Sequence, residues 1–204
     1  SLVVASRSFS KHPILRKEVL NRYPDAKFND EGLSLSGDSL ADFLAGYEKA
    51  ITALEKIDES ILKQLPELKI IGKYGVGLDM IDLHAMKKYD VQLGWTGGVN
   101  KRSVSELVVS SAIALLHRSV FANAEVRKGE WYQVKGRQLS ECTVGIIGCG
   151  HVGSDLLKLL EPFECELLVC DILDKSDIAA QFGAKQVDHD EIFQKSDVLT
   201  LHVP

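Results

Sequence analysis

The stretch Cys142-Thr-Val-Gly-Ile-Ile-Gly148-Cys-Gly150-His-Val-Gly153, followed by Leu167-Leu-Val-Cys-Asp171, decides the fold of this chain. It predicts a buried strand, a glycine turn, a helix, and a second buried strand that ends on an acid. The glycines match G-x-G-x-x-G, which is a weak signal by itself. Here the strand before it and the helix after it supply the context of a dinucleotide-binding βαβ unit. The alternative is a βαβ unit with a tight glycine turn and no ligand.

Each glycine of the loop has its own physical role. Gly148 permits the tight turn from strand to helix, Gly150 lets a pyrophosphate approach the backbone, and Gly153 lets the helix pack close to the strand. The helix that opens near His151 directs unpaired N–H groups and the positive end of its dipole at the phosphates. The loop therefore predicts a phosphate-binding turn.

Asp171 indicates which dinucleotide is bound. It lies 23 residues after Gly148, close to the ~20 expected for the acid that binds the ribose hydroxyls. A carboxylate at this position would repel the 2′-phosphate of NADP, and no Arg follows it directly. The sequence therefore favours NAD as the cofactor.

Composition excludes several classes of partner. The chain has 204 residues, a net charge of −5 and no basic run, so neither nucleic acid nor an anionic membrane is an expected partner. The longest apolar stretches, 107–116 and 144–147, are shorter than the ~20 residues of a membrane span. No signal peptide is recognisable in the sequence.

The four cysteines favour a reducing compartment. Cys142, Cys149, Cys165 and Cys170 form no C-x-x-C pair, and three of them flank predicted strands. Buried reduced thiols explain them better than disulfides or a metal. We therefore expect a cytoplasmic protein with no metal site.

Short strands and helices alternate along the chain, which predicts doubly wound parallel sheets. Before position 100 the predicted strands are 2–5, 27–29, 50–54, 68–73 and 91–93. The helices between them are 13–23, one capped by Ser39, 59–65 capped by Asp58, and 82–88. The Gly97-Gly98 pair is the expected hinge, which gives domains 1–98 and 99–204.

The second predicted domain starts with a long apolar helix. Ser103 or Ser105 is expected to start it and residues 106–116 to form it, buried on several sides. A helix at about 120–128 follows. After the cofactor βαβ unit we expect a helix at 176–182, a strand at 184–187, a helix at 190–195 and a buried strand at 197–203.

Five separated motifs resemble the NAD-dependent D-2-hydroxyacid dehydrogenases, the family that includes the phosphoglycerate dehydrogenases. Besides the glycine loop they are Leu65-Pro-Glu-Leu-Lys-Ile-Ile, Tyr74-Gly-Val-Gly-Leu-Asp-Met-Ile-Asp82, Asn100-Lys-Arg-Ser-Val-Ser-Glu106-Leu, Val126-Arg-Lys-Gly-Glu-Trp131 and Ser196-Asp-Val-Leu-Thr-Leu-His-Val-Pro204. The resemblance implies a flavodoxin-like substrate domain and a Rossmann NAD-binding domain of which the chain contains the first half. It also implies a homodimer formed through the long apolar helix and the helix after it.

The resemblance also implies binding roles for individual residues. The backbone N–H groups of Gly75, Val76 and Gly77 would hold the carboxylate of a small 2-hydroxy or 2-keto acid, which agrees with the anion-binding geometry of glycine-bracketed loops. Asn100 would face the substrate or the nicotinamide; taken alone, it is a turn residue or a helix cap. The remaining contacts would be to NAD, with His151 and Val152 at the pyrophosphate, Asp171 at the ribose, and His202, Val203 and Pro204 on the adenine side.

The family's catalytic Arg, Glu and His all follow the last motif of this sequence. No catalytic residue is therefore assigned, and we expect the chain to be the N-terminal, inactive portion of such an enzyme. The turn Thr52-Ala-Leu-Glu-Lys56 also lacks an Arg that phosphoglycerate dehydrogenases often carry. The absence of that Arg puts 3-phosphoglycerate in doubt as a substrate, although Lys56 could supply the cation instead.

Two other functions stay open from the sequence. One is an NAD-sensing regulator or corepressor that uses the same fold to control a protein–protein state. The other is a naturally short protein whose partial sheet is completed by a partner chain, because an exposed edge beside residues 197–203 would be prone to association.

Overall fold

The computed structural model describes residues 1–203. The chain folds into two compact units, Ser1–Gly97 and Gly98–Pro204. The division falls within the Gly97-Gly98 pair. Each unit has its own parallel sheet with helices on both faces. The prediction of doubly wound parallel sheets is therefore confirmed.

The sheet of the first unit has five strands. They are β1 (Leu2–Val4), β2 (Lys27–Phe28), β3 (Lys49–Thr52), β4 (Ile70–Lys73) and β5 (Gln92–Gly94). All pairings are parallel and the order is β2-β1-β3-β4-β5. The order reverses between β1 and β3, so the chain leaves these neighbouring strands toward opposite faces of the sheet. A crevice at the carboxyl ends of two such strands is where doubly wound sheets bind ligands.

Helices cover both faces of this sheet. They are α1 (Arg7–Lys11), α2 (Pro13–Arg22), α3 (Gly37–Leu44), α4 (Glu59–Leu62) and α5 (Leu83–Lys88). The larger core lies on one face and includes Leu40, Leu44 and Ile71, all fully buried. A smaller core around Val4 and Phe9 lies on the other face. Alternate residues of β1 serve the two cores, as the period of a strand requires.

The second unit opens with helices α6 (Lys101–Leu116) and α7 (Ser119–Arg127). The sheet and its helices follow in the order β6 (Thr143–Ile147), α8 (His151–Leu160), β7 (Glu166–Cys170), α9 (Ser176–Gln181), β8 (Lys185–Gln186), α10 (His189–Lys195) and β9 (Val198–Leu201). The four strands are parallel in the order β8-β7-β6-β9. Helix α8 packs against α6 within this unit, and Ser105 Oγ donates to the carbonyls of Lys101 and Val152.

Three predicted helix ends were wrong. Ser36, and not Ser39 as predicted, is the N-cap residue of α3. Ser39 lies inside the helix, and its Oγ accepts from the N–H of Ser36 at 3.2 Å. Helix α4 ends at Leu62, short of position 65, although Asp58 caps it as predicted. Helix α6 begins at Lys101, before either Ser103 or Ser105, with Asn100 in the N-cap position. For α3 and α6 a polar residue was present near the predicted start, but the sequence did not fix which one would take the N-cap position.

The expectation that the apolar helix is buried on several sides was also wrong. Only Ser105 and Ala112 of α6 are buried, and Leu107 and Leu115 are exposed. Strand β9 is half-buried, with Leu201 exposed, because it lies at the sheet edge beside β6. Within residues 1–203 no single helix is long and apolar enough to cross a bilayer, and α6 with α7 reaches that length only across a 64° bend.

Candidate functional site

The glycine loop of the second unit is closely packed at two of its three glycines. Gly148 has a φ of +91°, and a Cβ there would lie 2.5 Å from the carbonyl oxygen of His202. A Cβ at Gly153 would overlap the carbonyl oxygen of Gly148. Both positions therefore require glycine for the fold itself: Gly148 for the turn, and Gly153 for the approach of α8 to the end of β6.

Gly150 differs from the other two glycines. It is the N-cap residue of α8 and offers no side-chain cap, and a Cβ built on it would meet no atom within 4 Å. The first N–H groups of α8, at His151, Val152 and Gly153, have no partner within a helix. Open space above glycine and free N–H groups at a helix start fit the pyrophosphate of a dinucleotide.

Asp171 stands at the end of β7 and is tied to the glycine loop. Its carboxylate accepts from the N–H of Leu173 at 2.9 Å and from the N–H of Cys149 at 2.7 Å. These bonds, the one from Leu173 most, hold the pKa of Asp171 below its usual range against the opposing effect of partial burial. The carboxylate is therefore ionised at neutral pH and keeps lone pairs for the hydroxyls of a ribose.

A cavity of about 420 Å³ brings most of the predicted cofactor residues together. Gly148, Gly150, Asp171, His202 and Val203 all line it. Predicted residues His151, Val152 and Gly153 form the adjoining start of α8, and Pro204 lies outside the described residues. One cavity thus joins the glycine turn, Asp171 and the end of β9.

Sequence reasoning missed several residues of this cavity. They are Ile147, Cys170, Ile172, Leu173, Lys175 and His189. Lys175 is the one with a chemical signal, because a cation four residues after the acid lowers the pKa of Asp171. His202 adds a neutral ring, since burial lowers its pKa and its Nε2 lies 3.0 Å from Thr200 Oγ1.

The loop after β4 in the first unit has the features of an anion site. Gly75 has a φ of +111°, and Trp95 Nε1 donates to the carbonyl of Val76 at 3.0 Å. Among residues 1–203, the consecutive N–H groups of Gly75, Val76 and Gly77 donate to no acceptor. We call these three groups the 75–77 nest. Such free donors are an arrangement that binds anions.

A lysine that the sequence did not single out accompanies the nest. The Nζ of Lys73 donates to the carbonyl of Tyr74 at 3.3 Å, and a Cβ on Gly75 would lie 3.5 Å from it. Burial lowers the pKa of Lys73, while Glu55 and Asp79 oppose that shift. The sequence signal that could have identified Lys73 is its position directly before Tyr74-Gly-Val-Gly77.

Asn100 lies in the second unit, whereas the 75–77 nest lies in the first. It is the exposed residue before α6 and makes no side-chain capping bond. Across residues 1–203 no group of three His, Cys, Asp or Glu side chains is placed to hold a metal ion.

Together, the fold and these sites define a dinucleotide-binding α/β protein with a loop of free N–H groups in a separate unit. Two family models match it: residues 3–156 match the catalytic domain of the D-isomer specific 2-hydroxyacid dehydrogenases, and residues 109–204 match their NAD binding domain. The chain belongs to the D-isomer specific 2-hydroxyacid dehydrogenase family. Its cofactor is NAD, as the glycine loop and Asp171 predicted.

Curated relatives agree with the family. The chain is 32% identical to a D-3-phosphoglycerate dehydrogenase of Archaeoglobus fulgidus over 83% of its own length and 33% of the relative's. It is 32% identical to a glyoxylate reductase of Thermococcus litoralis over 74% of the chain and 48% of the relative. The chain therefore spans between a third and a half of these relatives.

A solved structure shares the fold over the whole chain. It is a putative D-isomer specific 2-hydroxyacid dehydrogenase from Polaromonas sp. JS6 66, with a TM-score of 0.89 at 24% identity. The match covers 100% of this chain and 65% of that one.

The glycines of the loop separate structural from ligand-binding roles. Gly153→Ala is expected to destabilise the fold by about 1–3 kcal/mol, because the added methyl overlaps a backbone oxygen. Gly150→Ala is expected to change unfolding by less than about 0.5 kcal/mol, yet to weaken NAD binding at least about tenfold. Urea unfolding and titration calorimetry measure the two effects. Undiminished NAD binding by Gly150→Ala would contradict the phosphate role of this turn.

Asp171 is expected to set the preference for NAD over NADP. We expect NAD to bind at least about tenfold more tightly, and Asp171→Asn to remove most of that ratio by removing the repelling charge. Asp174→Asn is the matched control, since Asp174 lies on the same loop, bonds to Ser176 and does not line the cavity. Calorimetry with both dinucleotides measures the ratio; tighter binding of NADP by the unchanged protein would overturn the assignment.

Proposed function

We propose that a protein containing this chain is an NAD-dependent oxidoreductase that interconverts a D-2-hydroxy acid and a 2-keto acid by hydride transfer. The observation that carries the proposal is the 75–77 nest, because a dinucleotide site alone does not indicate an acid substrate. Three free N–H groups in succession, next to the partly buried cation of Lys73, suit a carboxylate. The family and the relative named glyoxylate reductase support the same class of substrate.

Residues of the two units have separate tasks in this proposal. The 75–77 nest binds and orients the substrate carboxylate, and Asn100 faces the substrate or the nicotinamide. Gly150 and the start of α8 hold the pyrophosphate, Asp171 holds the ribose, and His202 and Val203 line the adenine side. NAD, when bound, supplies the hydride chemistry.

The acid–base chemistry is not assigned to this chain. Of its six histidines, His189 lies against Cys170 and His202 against Thr200. We propose that residues 1–204 bind substrate and cofactor without completing the reaction. A regulator that only senses NAD is less favoured, since the relatives are named as a dehydrogenase and a reductase.

Turnover is the direct test of the proposed function. The protein expressed from the complete reading frame is expected to oxidise NADH with a small 2-keto acid such as glyoxylate. The decrease in NADH absorbance measures the rate. Val76→Pro removes the central N–H of the nest and is expected to raise KM for the acid about tenfold or more. Leu78→Val keeps every N–H group of the loop and is the matched control variant. NAD binding with no turnover of any 2-keto acid would favour the regulator.

We also propose a homodimer through α6 and α7, in a reducing compartment such as the cytosol. The free cysteines are consistent with that compartment. Apolar side chains that α6 and α7 leave exposed are Leu107, Leu115, Val120, Phe121 and Val126. A patch of this kind commonly marks a protein–protein contact.

Sedimentation at micromolar concentration is expected to show a dimer. Leu115→Glu combined with Phe121→Glu should yield a monomer, because two charges would be buried without partners. Leu83→Glu is the control, since Leu83 is also exposed but lies on α5 of the other unit. A wild-type protein that sediments as a monodisperse monomer would rule the interface out.

A further inference from the structure

Trp95 stands at the end of β5 and reaches the 75–77 nest from the neighbouring strand. The last register pair of β4 and β5 is Gly72 with Gly94, so the tryptophan leaves β5 beside the loop that follows β4. Its indole Nε1 donates to the carbonyl oxygen of Val76 at 3.0 Å. The proposed function gives this side chain no role, although its one hydrogen bond is made to the middle of the nest.

The hydrogen bond from Trp95 fixes the direction of one N–H group of the nest. The carbonyl of Val76 and the N–H of Gly77 belong to the same peptide group, and in a planar trans peptide they point in opposite directions. Because the indole holds the carbonyl on its own side, the N–H of Gly77 points to the other side. That N–H donates to no acceptor among residues 1–203 and is available to an anion.

The same peptide group could rotate easily without this anchor. Two backbone conformations of a turn can differ by a flip of one peptide plane, and glycine accepts the positive φ that such a flip requires. Gly77 has no positive φ in this structure, so the flipped arrangement is the alternative one. A flip would turn the N–H of Gly77 away and present the carbonyl of Val76, which repels a carboxylate.

Lys73 holds the first peptide group of the nest in a comparable way. Its Nζ donates at 3.3 Å to the carbonyl of Tyr74, which shares a peptide group with the N–H of Gly75. Lys73 also carries a charge, so its replacement would change both the orientation of the loop and the attraction for an anion. Trp95 is neutral, and its replacement therefore isolates the effect of orientation.

We propose that Trp95 is a positioning residue of the carboxylate site. Its indole N–H keeps the peptide group between Val76 and Gly77 turned so that the N–H of Gly77 faces the substrate. Trp95 acts through this peptide group and not by contact with the reacting atoms. The inference rests on the proposed function, because it takes the 75–77 nest to hold the carboxylate of a 2-hydroxy or 2-keto acid.

Trp95→Phe in the protein expressed from the complete reading frame tests the proposal. Phenylalanine keeps an aromatic ring and removes the N–H, and the site is 42% exposed, so the fold is expected to tolerate it. With glyoxylate or pyruvate, whichever is turned over faster, KM is expected to rise about 3- to 10-fold, the effect of one hydrogen bond. We expect kcat to change less than about twofold, because the bond supports binding of the carboxylate.

Two binding measurements separate positioning from a general disturbance of the fold. Calorimetry with NADH present is expected to show that oxamate, an unreactive acid of similar size, binds Trp95→Phe more weakly by a factor similar to the rise in KM. The Kd for NADH itself should stay within about twofold, because the dinucleotide cavity lies in the other unit.

Tyr89→Phe is the matched control. It also keeps a ring and removes a donor within the first unit, but Tyr89 Oη donates to exposed Glu59 at 3.4 Å and not to the nest. KM of this variant is expected to stay within about twofold of the value for the unaltered protein.

The indole proton of Trp95 gives a second test in the unaltered protein. An anion bound to the N–H of Gly77 polarises the peptide group and strengthens the hydrogen bond at its carbonyl. The nuclear magnetic resonance signal of the indole proton, identified by its absence in Trp95→Phe, is therefore expected to move downfield when oxamate is added. A signal that does not move would contradict the proposal.

The outcomes separate the role of Trp95 from the proposed function. An unchanged KM and unchanged oxamate binding in Trp95→Phe overturn the role of Trp95 alone. A variant that loses kcat and NADH binding together with acid binding also overturns it, since the side chain would then support the fold as a whole. No turnover of any 2-keto acid by the unaltered protein overturns the proposed function and the role of Trp95 with it.

Discussion

The close approach of Gly153 to the carbonyl oxygen of Gly148 is the contact on which the cofactor site depends. No side chain fits between them, so α8 starts directly at the end of β6. That start gathers free N–H groups above Gly150, where the space is open. The same turn places the N–H of Cys149 on Asp171. One steric constraint therefore sets both the free N–H groups at the start of α8 and the orientation of the Asp171 carboxylate.

Much of this site could be predicted from the sequence because its chemistry is local. The glycine spacing and the following helix fix Gly148, Gly150 and Gly153 within a few residues of one another, and strand β7 then brings Asp171 alongside. The end of β9 joins the cavity because β9 pairs with β6. The position of Lys175 in the cavity was not predicted, because no periodic sequence pattern determines the path of a loop after a strand.

The failures have a different physical origin. An apolar helix predicts burial, but α6 is covered on one face only within the described chain. The same reasoning misjudged β9, since the sequence does not show which strand lies at the edge. Burial depends on neighbours distant in sequence, whereas a glycine turn depends on the backbone nearby.

In the first unit, the charge of the crevice between β1 and β3 depends on which strand end carries a cation. Ends of β1 and β3 open into one crevice, because the strand order reverses there. A cation that follows either strand reaches the same space, and the sequence of the β3 turn alone therefore cannot show that the crevice lacks one. Arg7 lies on the β1 side, while Lys56 is engaged by Asp58. The 75–77 nest after β4, by contrast, consists of backbone N–H groups, so no side chain from another strand end can replace it. The free N–H groups of the 75–77 nest are thus supplied by the backbone, whereas the charge of the crevice is set by side chains.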